Sequence, residues 1–459
     1  MPILVSNSLT RQLEEFRPLE AGKVKMYVCG PTVYGPSHIG HARTYIAFDV
    51  IRRYFEYCGY EVTFICNITD VHDDMIKRAN ERGITIFELA DENIASYLHD
   101  MESLNVLKAS AYPRVTEVIP EIIDLTRKLV ESGYAYPVED GSVYYDVAKF
   151  SDYGKLSGIR HEAGVTGTRV ETDKYDKEHA QDFALWKGAK PGEPTWESPW
   201  GPGRPGWHIE CSVMSQKYLG DTFDIHGGAI DLIFPHHENE IAQSEAANQK
   251  PFVRYFLHSG LLRINGEKMS KSLGNFIEIP DLLAKYDPMA VRFFLLQSHY
   301  KSSADFTDDG VQDAKKRLER WHNILDPLVD SYIVEEDTQN QKMKHKVAFS
   351  TAMDDDFNTP QAIAVIEQVL KDEELTPLQK KELILDFDSV LGLRLDVPLR
   401  EKKVLDEQTT SEIEALVAKR EEHRAAKQFA ESDAVRDELK EKYGVVVEDT
   451  PHGSKWHKE

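Results

Sequence analysis

Cysteine and long apolar runs are scarce in this chain of 459 residues, which contains only four cysteines. No secretory signal or long apolar span is visible, so we expect a cytoplasmic, reduced protein without membrane contact and without disulfides. Basic residues are also in deficit, because 55 Lys and Arg stand against 78 Asp and Glu, a formal net charge of −23. That balance argues against binding nucleic acid by bulk positive charge, but it leaves room for recognition by local basic and aromatic surface with shape readout.

Common nucleotide-binding and metal-binding patterns are missing as well. The sequence has no Walker-type G-x-x-x-x-G-K-[ST] run, so a P-loop is excluded. It has no C-x-x-C pair and shows no internal repeat or low-complexity block. The length is too great for one ordinary domain, so we expect about two to four. The hydrophobic share of 41% permits normal cores.

Two short runs, far apart in the chain, point to a nucleotide site. The run 38–41 (HIGH) follows an alternating, strand-like stretch and opens one with helical spacing of apolar residues. We therefore place it at a strand-to-helix turn, where free backbone N–H groups and the helix dipole favour a phosphate. The run 268–272 (KMSKS) follows Asn265-Gly266, the strongest two-residue hairpin signal, which predicts that its lysines lie on an exposed loop.

Each run alone has an ordinary explanation, as exposed histidines at a helix start or as a flexible basic loop. Together they favour a triphosphate site. When negative charge shifts from the α-phosphate to the departing pyrophosphate, a basic loop facing a His/Gly helix start can stabilise it. In this order and context the two runs resemble the signature motifs of the class I aminoacyl-tRNA synthetases.

Cysteine, histidine and glutamate from three segments indicate a metal site. Cys29 ends the first strand-like stretch, and Cys211 closes the run 206–211 (GWHIEC). Downstream, a proline before His236 suits a first helical turn, so His236 and Glu240 should share one helix face. Two thiolates, one imidazole and one carboxylate form a plausible tetrahedral zinc set.

Spacing alone leaves alternatives to this set. A buried free thiol is the commoner fate of a single cysteine, and we keep that interpretation for Cys58 and Cys66. His237 is a rival ligand, although we expect it to point to a different helix face.

Three runs extend the resemblance to the cysteinyl-tRNA synthetase family. They are 27–34 (YVCGPTVY), 204–211 (RPGWHIEC) and 234–240 (FPHHENE), and the similarity runs along nearly the whole chain. The resemblance implies that Cys29, Cys211, His236 and Glu240 bind one zinc ion per chain. In that family the zinc selects the substrate instead of catalysing hydrolysis.

Zinc selection has a physical basis, because serine and cysteine differ by one atom and a hydrophobic pocket separates such near-isosteres only ~10–200-fold. Zinc binds a deprotonated thiol as a soft ligand, whereas a hydroxyl is harder and far more difficult to deprotonate. A site that accepts the substrate sulfur as a fifth ligand, or in exchange for a weak carboxylate, needs no editing domain. Glu240 is the ligand that we expect to loosen.

The resemblance also implies the fold class and the domain order. We expect an α/β protein with a Rossmann-like parallel-sheet catalytic domain, an inserted connective domain, a helical-bundle anticodon-binding domain and a small C-terminal module. The expected bounds are 1–115 and 201–250 for the two halves of the catalytic domain, 116–200 for the insertion, 251–305 for the KMSKS loop and stem-contact region, 306–400 for the bundle and 401–459 for the C-terminal tRNA-binding module.

The implied activity is a cysteine–tRNA ligase that acts as a monomer. L-cysteine and ATP, with Mg²⁺, would give cysteinyl-adenylate and pyrophosphate, and the cysteinyl group would pass to the 2′-hydroxyl of the terminal adenosine of tRNA-Cys. The catalytic residues would be His38, His41, Lys268 and Lys271, with Lys271 the likelier direct ATP contact. Adenosine and phosphates would also meet Gly40, Gly227 and Gly228, the last two following His226. Besides Cys29 and His236, the cysteine pocket would contain Thr32, Thr69, Trp207 and His208.

Three positions qualify this assignment. Trp207 has an alternative interpretation as a plain core aromatic. His72 and Asp74 replace an acid and a base of the family pattern, so we give neither a site role. Trp456 lies between two lysines, and we expect the tail to follow the last regular element, a short strand at 445–447. There Trp456 would stack on an anticodon base or dock on its own domain.

Three other activities compete with this one. A cysteine ligase of mycothiol synthesis would share the catalytic core, but residues 306–459 argue against it, since such enzymes generally lack the anticodon-binding part. A non-catalytic zinc-binding RNA-interaction paralogue would not need both signature motifs. A small-molecule nucleotidyltransferase would need neither the zinc set nor the long helical part.

Overall fold

The computed structural model of the chain describes residues 2–159, 182–270, 274–325, 339–397, 407–426, 428–443, 445–450 and 453–458. These residues belong to two compact units, Met1–Asp396 and Val397–Glu459. In the described ranges no helix has the length and hydropathy that a bilayer crossing requires.

The strands are β1 Leu4–Asn7, β2 Gln12–Glu15, β3 Lys23–Val28, β4 Glu61–Cys66, β5 Ala135–Pro137, β6 Val143–Tyr145, β7 Phe183–Gly188, β8 Gly203–Pro205, β9 Phe223–Ala229, β10 Val253–Ser259, β11 Leu262–Ile264, β12 Glu267–Lys268, β13 Ala304–Phe306, β14 Val445–Thr450 and β15 Gly453–Lys458. The α-helices are α1 Ile39–Tyr57, α2 Asp73–Arg82, α3 Ile86–Ser103, α4 Ile119–Glu131, α5 Trp207–Leu219, α6 Glu238–Asn248, α7 Ile279–Lys285, α8 Pro288–Leu296, α9 Asp308–Leu325, α10 Gln339–Asp354, α11 Thr359–Lys371, α12 Pro377–Leu391, α13 Glu407–Ala425 and α14 Phe429–Tyr443.

A four-stranded parallel sheet of order β10-β9-β3-β4 forms the centre of the first unit. Alternate residues of β3 enter two different cores, since Met26 and Val28 pack with α1 whereas Tyr27 and Cys29 pack with α5. The chain passes from β3 to β4 on one side and later adds β9 on the other. The side on which strands are added therefore changes between β3 and β9, although all four strands run parallel. Doubly wound folds bind their ligands at this switch point.

A four-stranded antiparallel sheet, β5-β6-β7-β8, interrupts the parallel sheet between β4 and β9 in chain order. Helix α4 precedes it. The predicted fold class, a Rossmann-like parallel sheet with an inserted segment and a following helical part, is confirmed.

The predicted hairpin at Asn265-Gly266 is also confirmed. Asn265 and Gly266 have φ of 50° and 82°, as a two-residue turn with both central residues left-handed requires. They join β11 to β12, and β11 also pairs in parallel with β13.

A helical part from α8 to α12 completes the first unit, and a buried arginine joins it to the sheet. The Arg292 guanidinium on α8 binds Asp49 Oδ2 on α1 at 2.5 Å and donates to the Leu391 carbonyl at the end of α12 at 2.8 Å. Both charged side chains are almost fully buried, so the ion pair is a fixed connection between α1 and the bundle.

The second unit contains α13, α14 and the antiparallel hairpin β14–β15. The expectation that the tail follows the last regular element is wrong, because residues 453–458 form β15. In its register Trp456 lies opposite Val447. Residues 453–458 are mostly polar, so their sequence shows no hydrophobic alternation. The strand is defined by its main-chain pairing with β14.

Candidate active site

A cluster of sulfur, nitrogen and oxygen ligands lies where β3 and β9 meet. Cys29 follows β3, Cys211 lies on α5, His236 lies in the segment Ile233–His237 just before α6, and Glu240 lies in the first turn of α6. Cys29 Sγ is 3.9 Å from Cys211 Sγ and 3.8 Å from Glu240 Oε1. His236 Nε2 is 3.1 Å from Glu240 Oε1. The four residues predicted as zinc ligands are thus buried together, with all four ligand atoms within 4.8 Å of one another.

A second, overlapping set is equally compact and consists of Cys29, His226, His237 and Glu240. His237 Nε2 is 3.3 Å from Cys29 Sγ, and His226 Nε2 is 2.8 Å from Glu240 Oε2. The expectation that His237 points away is wrong. Its Nε2 lies 4.0 Å from Glu240 Oε1, because residues three apart are neighbours on a helix surface. The segment Ile233–His237 before α6 is kinked at Phe234, whose φ of −135° and ψ of 131° are not helical.

Further histidines orient this cluster from behind. His208 Nδ1 lies 2.9 Å from His236 Nδ1, and His237 Nδ1 lies 2.8 Å from His258 Nε2. His258 in turn contacts Ser8 Oγ at 2.7 Å. Such contacts fix ring orientation and tautomer in metal sites. Sequence reasoning missed His258, for which the available signal was a histidine on the strand next to His226.

Burial controls the protonation of the cluster. It raises the pKa of the Cys29 thiol well above its usual range, and the nearby Cys211 and Glu240 add to that shift. Burial likewise raises the pKa of Cys211, and it lowers the pKa of His237 well below its usual range. Neutral Cys29 and Cys211 thiols and a neutral His237 ring are therefore favoured by the protein alone. A divalent cation would reverse this preference for the thiols, and the donor set of two sulfurs, one nitrogen and one oxygen fits zinc.

Two residues predicted for the cysteine pocket, Trp207 and His208, lie against His236. Trp207 is half-buried, and its ring centroid lies 4.4 Å from that of His236 and 5.1 Å from that of His208. Trp207 is thus a wall beside the cluster and not a plain core aromatic. Thr32 and Thr69 pair as an isolated parallel bridge just beyond the ends of β3 and β4.

Thr69 and the departing position His72 have structural partners. Thr69 is buried and donates from Oγ1 to Glu210 Oε2 at 3.0 Å. His72 caps α2 by accepting from the Asp74 N–H at 3.1 Å, and its ring meets the Trp207 ring edge at 6.0 Å between centroids.

The HIGH run begins α1 as predicted, but its backbone is less open than expected. The His38 and His41 rings stack at 3.7 Å, and each ring accepts from the other residue's backbone N–H. The N–H of Ile39 donates to the Ile277 carbonyl. The expectation of free backbone N–H groups is therefore wrong at these three positions, because the histidines themselves form a capping box. Burial, and next the neighbouring His38, lower the pKa of His41 well below its usual range.

The two signature runs meet in the structure. A Cβ added at Gly40 would lie 3.5 Å from Met269 Cε, so the hairpin side chain reaches the HIGH turn. Lys268 is exposed at the end of β12. Asn275, which sequence reasoning missed, holds the loop by donating to the Lys268 carbonyl and accepting from the Ser270 N–H. Lys271 lies outside the described residues.

Gly227 and Gly228 are needed for packing within the protein. A Cβ at Gly227 would lie 2.4 Å from the Phe48 ring of α1, and one at Gly228 would lie 2.9 Å from His237 Cε1. These glycines let α1 and the metal-site turn approach β9. Their predicted contact with adenosine stays a prediction, as does the anticodon role of Trp456, whose side chain is outside the described part of the chain.

Comparisons with known proteins agree with this arrangement. The model of the class I (C) tRNA synthetase catalytic domain matches residues 15–316, the DALR domain matches 348–396, and the cysteinyl-tRNA ligase anticodon binding domain matches 406–456. The chain is 52% identical to a cysteine–tRNA ligase of Thermococcus onnurineus, covering 99% of each chain. It is 48% identical to that of Symbiobacterium thermophilum, covering all of both.

A solved structure extends the likeness to the fold. The methionyl-tRNA synthetase of Mycobacterium tuberculosis in complex with methionyl-adenylate superposes with a TM-score of 0.58 at 15% identity, covering 81% of this chain and 90% of that one. Full-length identity near one half, domain matches from the sheet to the C-terminal hairpin, and the meeting of the two signature runs lead to one conclusion: the chain belongs to the cysteinyl-tRNA ligases, within the class I aminoacyl-tRNA synthetases.

Proposed function

We propose that the chain activates L-cysteine with ATP and Mg²⁺ and transfers the cysteinyl group to the 2′-hydroxyl of the terminal adenosine of tRNA-Cys, acting as a monomer. The observation that carries the proposal is the buried ligand cluster at the switch point of the sheet, whose Cys29 directly follows β3, the strand that leads into the HIGH turn. It combines a cysteine-selective chemistry with a nucleotide site on the same sheet edge.

Cys29, Cys211, His236 and Glu240 would hold zinc. Bound there, zinc supplies a soft Lewis acid that takes the substrate sulfur as a thiolate and disfavours a serine hydroxyl. We prefer this set to the one with His226 and His237, because two thiolates make the softer and more zinc-like site.

The chain's own residues would position the reactants around that centre. Trp207, His208, Thr32 and Thr69 would enclose the amino acid beside His236, excluding water from the carboxylate that attacks the α-phosphate. The His38 and His41 rings would donate hydrogen bonds to the phosphates, and Gly40 would let the nucleotide approach closely. Gly227 and Gly228 would bound the adenosine side.

Lys268 and Lys271 would neutralise charge as pyrophosphate leaves. The exposure of Lys268 and the contact of Met269 with the HIGH turn support this placement. The bundle and the C-terminal unit would bind tRNA, with Trp456 stacking on an anticodon base. The match of residues 406–456 to an anticodon binding domain supports that assignment.

Two assays with one matched pair of variants test the proposal. Purified protein should carry about one zinc per chain, catalyse cysteine-dependent ATP–pyrophosphate exchange without tRNA, and charge tRNA-Cys. Cys211→Ser should lose both zinc and exchange. Cys58→Ser should retain both, because Cys58 is an exposed free thiol at a helix end; the expectation that it is buried is wrong, whereas Cys66 is buried as expected. Full zinc content in Cys211→Ser would remove that residue from the set. Exchange without tRNA charging would refute the ligase assignment.

A further inference from the structure

A buried arginine on the HIGH helix lies outside every role given above. Arg43 lies two residues after His41 on α1, and its side chain is only 3% exposed. In the described part of the chain no carboxylate forms an ion pair with it. Burial lowers the pKa of its guanidinium to about 10, with no acidic neighbour to offset that effect.

Backbone carbonyls of two segments hold this guanidinium. Nε donates to the Gly260 carbonyl at 3.2 Å, and Nη2 donates to the His299 carbonyl at 3.1 Å and to the Ser302 carbonyl. The planar guanidinium can bind several diverging carbonyls at once, which a lysine cannot do. Arg43 therefore binds the turn 299–302 to the helix that carries the HIGH run.

The turn 299–302 is linked to the KMSKS hairpin through a strand pairing. It precedes β13, which pairs in parallel with β11, and β11 continues through Asn265-Gly266 into β12 and Lys268. Two further bonds fix this link, because the Gly260 N–H donates to the Tyr300 carbonyl at 2.8 Å and the Gly266 N–H donates to Asp305 Oδ1 at 2.7 Å.

We propose that Arg43 is a positioning residue for adenylate formation: it holds the turn 299–302 and thereby fixes where the hairpin presents Lys268 to the phosphates. Burying a charge without an ion pair is costly. Here the buried guanidinium binds carbonyls of Gly260, which lies two residues before β11, and of the turn 299–302. Rates of group transfer are sensitive to displacements of about 1 Å, so a small shift of the turn lowers the rate. The inference rests on the proposed role of the hairpin lysines.

The test is Arg43→Met, which keeps an unbranched apolar stem and removes the guanidinium donors. The kcat of cysteine-dependent ATP–pyrophosphate exchange should fall roughly 10–100-fold, the scale of a misplaced reactant. The KM for cysteine and the zinc content should stay at their original values. Single-turnover transfer from preformed cysteinyl-adenylate to tRNA should also be unchanged, because pyrophosphate has already left.

Gly260→Ala attacks the same turn from the hairpin side and covers the case in which Arg43→Met does not fold. A Cβ there would lie 2.4 Å from the Ser302 carbonyl oxygen and 2.5 Å from that of Lys301, so the turn must move. The same selective loss of exchange is expected. Arg53→Met is the matched control, since Arg53 lies on the same helix but binds Asp49 and the carbonyl of Asn105. It should lower the melting temperature without changing exchange kcat.

Equal losses in exchange and in transfer would overturn the inference and leave Arg43 a structural residue. Unchanged exchange in a folded Arg43→Met would overturn it as well. Lys268→Ala, measured in the same assays, distinguishes failure of the proposed lysine role from failure of the Arg43 role. If Lys268→Ala leaves exchange intact, the proposed role of the hairpin fails, whereas slow exchange in Lys268→Ala alone refutes only the role of Arg43.

Discussion

The two ends of the site differ in how they are built. The ligand cluster is buried and drawn from β3, α5 and the start of α6, so its geometry exists before any substrate arrives. The lysine end is a two-residue strand on a hairpin, exposed to solvent and attached through β11 and β13. A rigid, dry cluster suits a choice between sulfur and oxygen, while an exposed cation suits charge that appears only during reaction.

Both ends nevertheless depend on α1. The HIGH turn touches Met269 of the hairpin, and Phe48 of the same helix fills the space beside Gly227. Helix α1 thus lies between the ligand cluster and the lysine hairpin and fixes their separation. Variants of the ligand cluster should therefore affect metal and cysteine binding, whereas variants of the hairpin should affect adenylate formation. The predictions below test whether these two effects are separate.

The largest effect is expected at the cluster. His236→Ala should abolish zinc binding and reduce cysteine-dependent exchange by at least roughly 10³-fold, more than the ~10–100-fold of an outer-shell change. His237→Ala, whose ring also reaches Cys29, should keep the metal with affinity reduced only ~10–100-fold. Metal content and zinc titration measure both. The reverse order would assign the metal to the set with His226 and His237.

The next effect belongs to the hairpin. Lys271→Ala should slow adenylate formation by roughly 10²–10³-fold, the scale of losing one transition-state charge partner. Zinc content and cysteine affinity should be nearly unchanged, because the lysine acts on phosphates. Rapid-quench measurement of adenylate gives the rate. A parallel loss of cysteine affinity would mean that the loop supports the pocket instead of the reaction.

A third variant tests whether tRNA recognition is separate from both ends. Trp456→Ala should weaken tRNA charging roughly tenfold to a hundredfold, as expected for a stacked base worth ~1–3 kcal/mol, and leave exchange intact. Phe429→Ala is the control, since this aromatic of the same unit is 63% exposed. Equal loss in both assays would give Trp456 a folding role.

The smallest effect concerns pH. Because the pKa of His41 is lowered from its usual 6.5, the unfolded chain binds a proton below that pH that the native chain does not. Stability from this group is therefore complete above the unfolded pKa and is lost as the pH falls. Urea unfolding should show the wild type losing up to about 2 kcal/mol relative to His41→Asn between about pH 7.5 and about pH 5. A constant difference would contradict the buried, neutral ring.

Local rules in the sequence predicted the parts of the fold that local chemistry determines. Asn265-Gly266 specified its hairpin because few other pairs accept two left-handed residues. The four predicted ligands were identified by resemblance, and no spacing rule would have selected them from three segments. The direction of His237 depends on the kinked segment before α6, and the space filled by Phe48 beside Gly227 depends on helix-to-sheet packing. Neither is written in local periodicity.

The Arg292–Asp49 pair has a consequence for modularity. The guanidinium on α8 has its charge partner on α1 and one of its carbonyl acceptors, Leu391, in the last helix of the bundle. Cutting the chain after residue 305 would keep the pair but remove that acceptor and the helices that bury it. In a catalytic fragment without the bundle, the Arg292 and Asp49 side chains, which the whole chain buries, would be exposed to solvent. The catalytic part is therefore not independent of the bundle. A shortened form of this protein would need a different residue at position 292 to fold on its own.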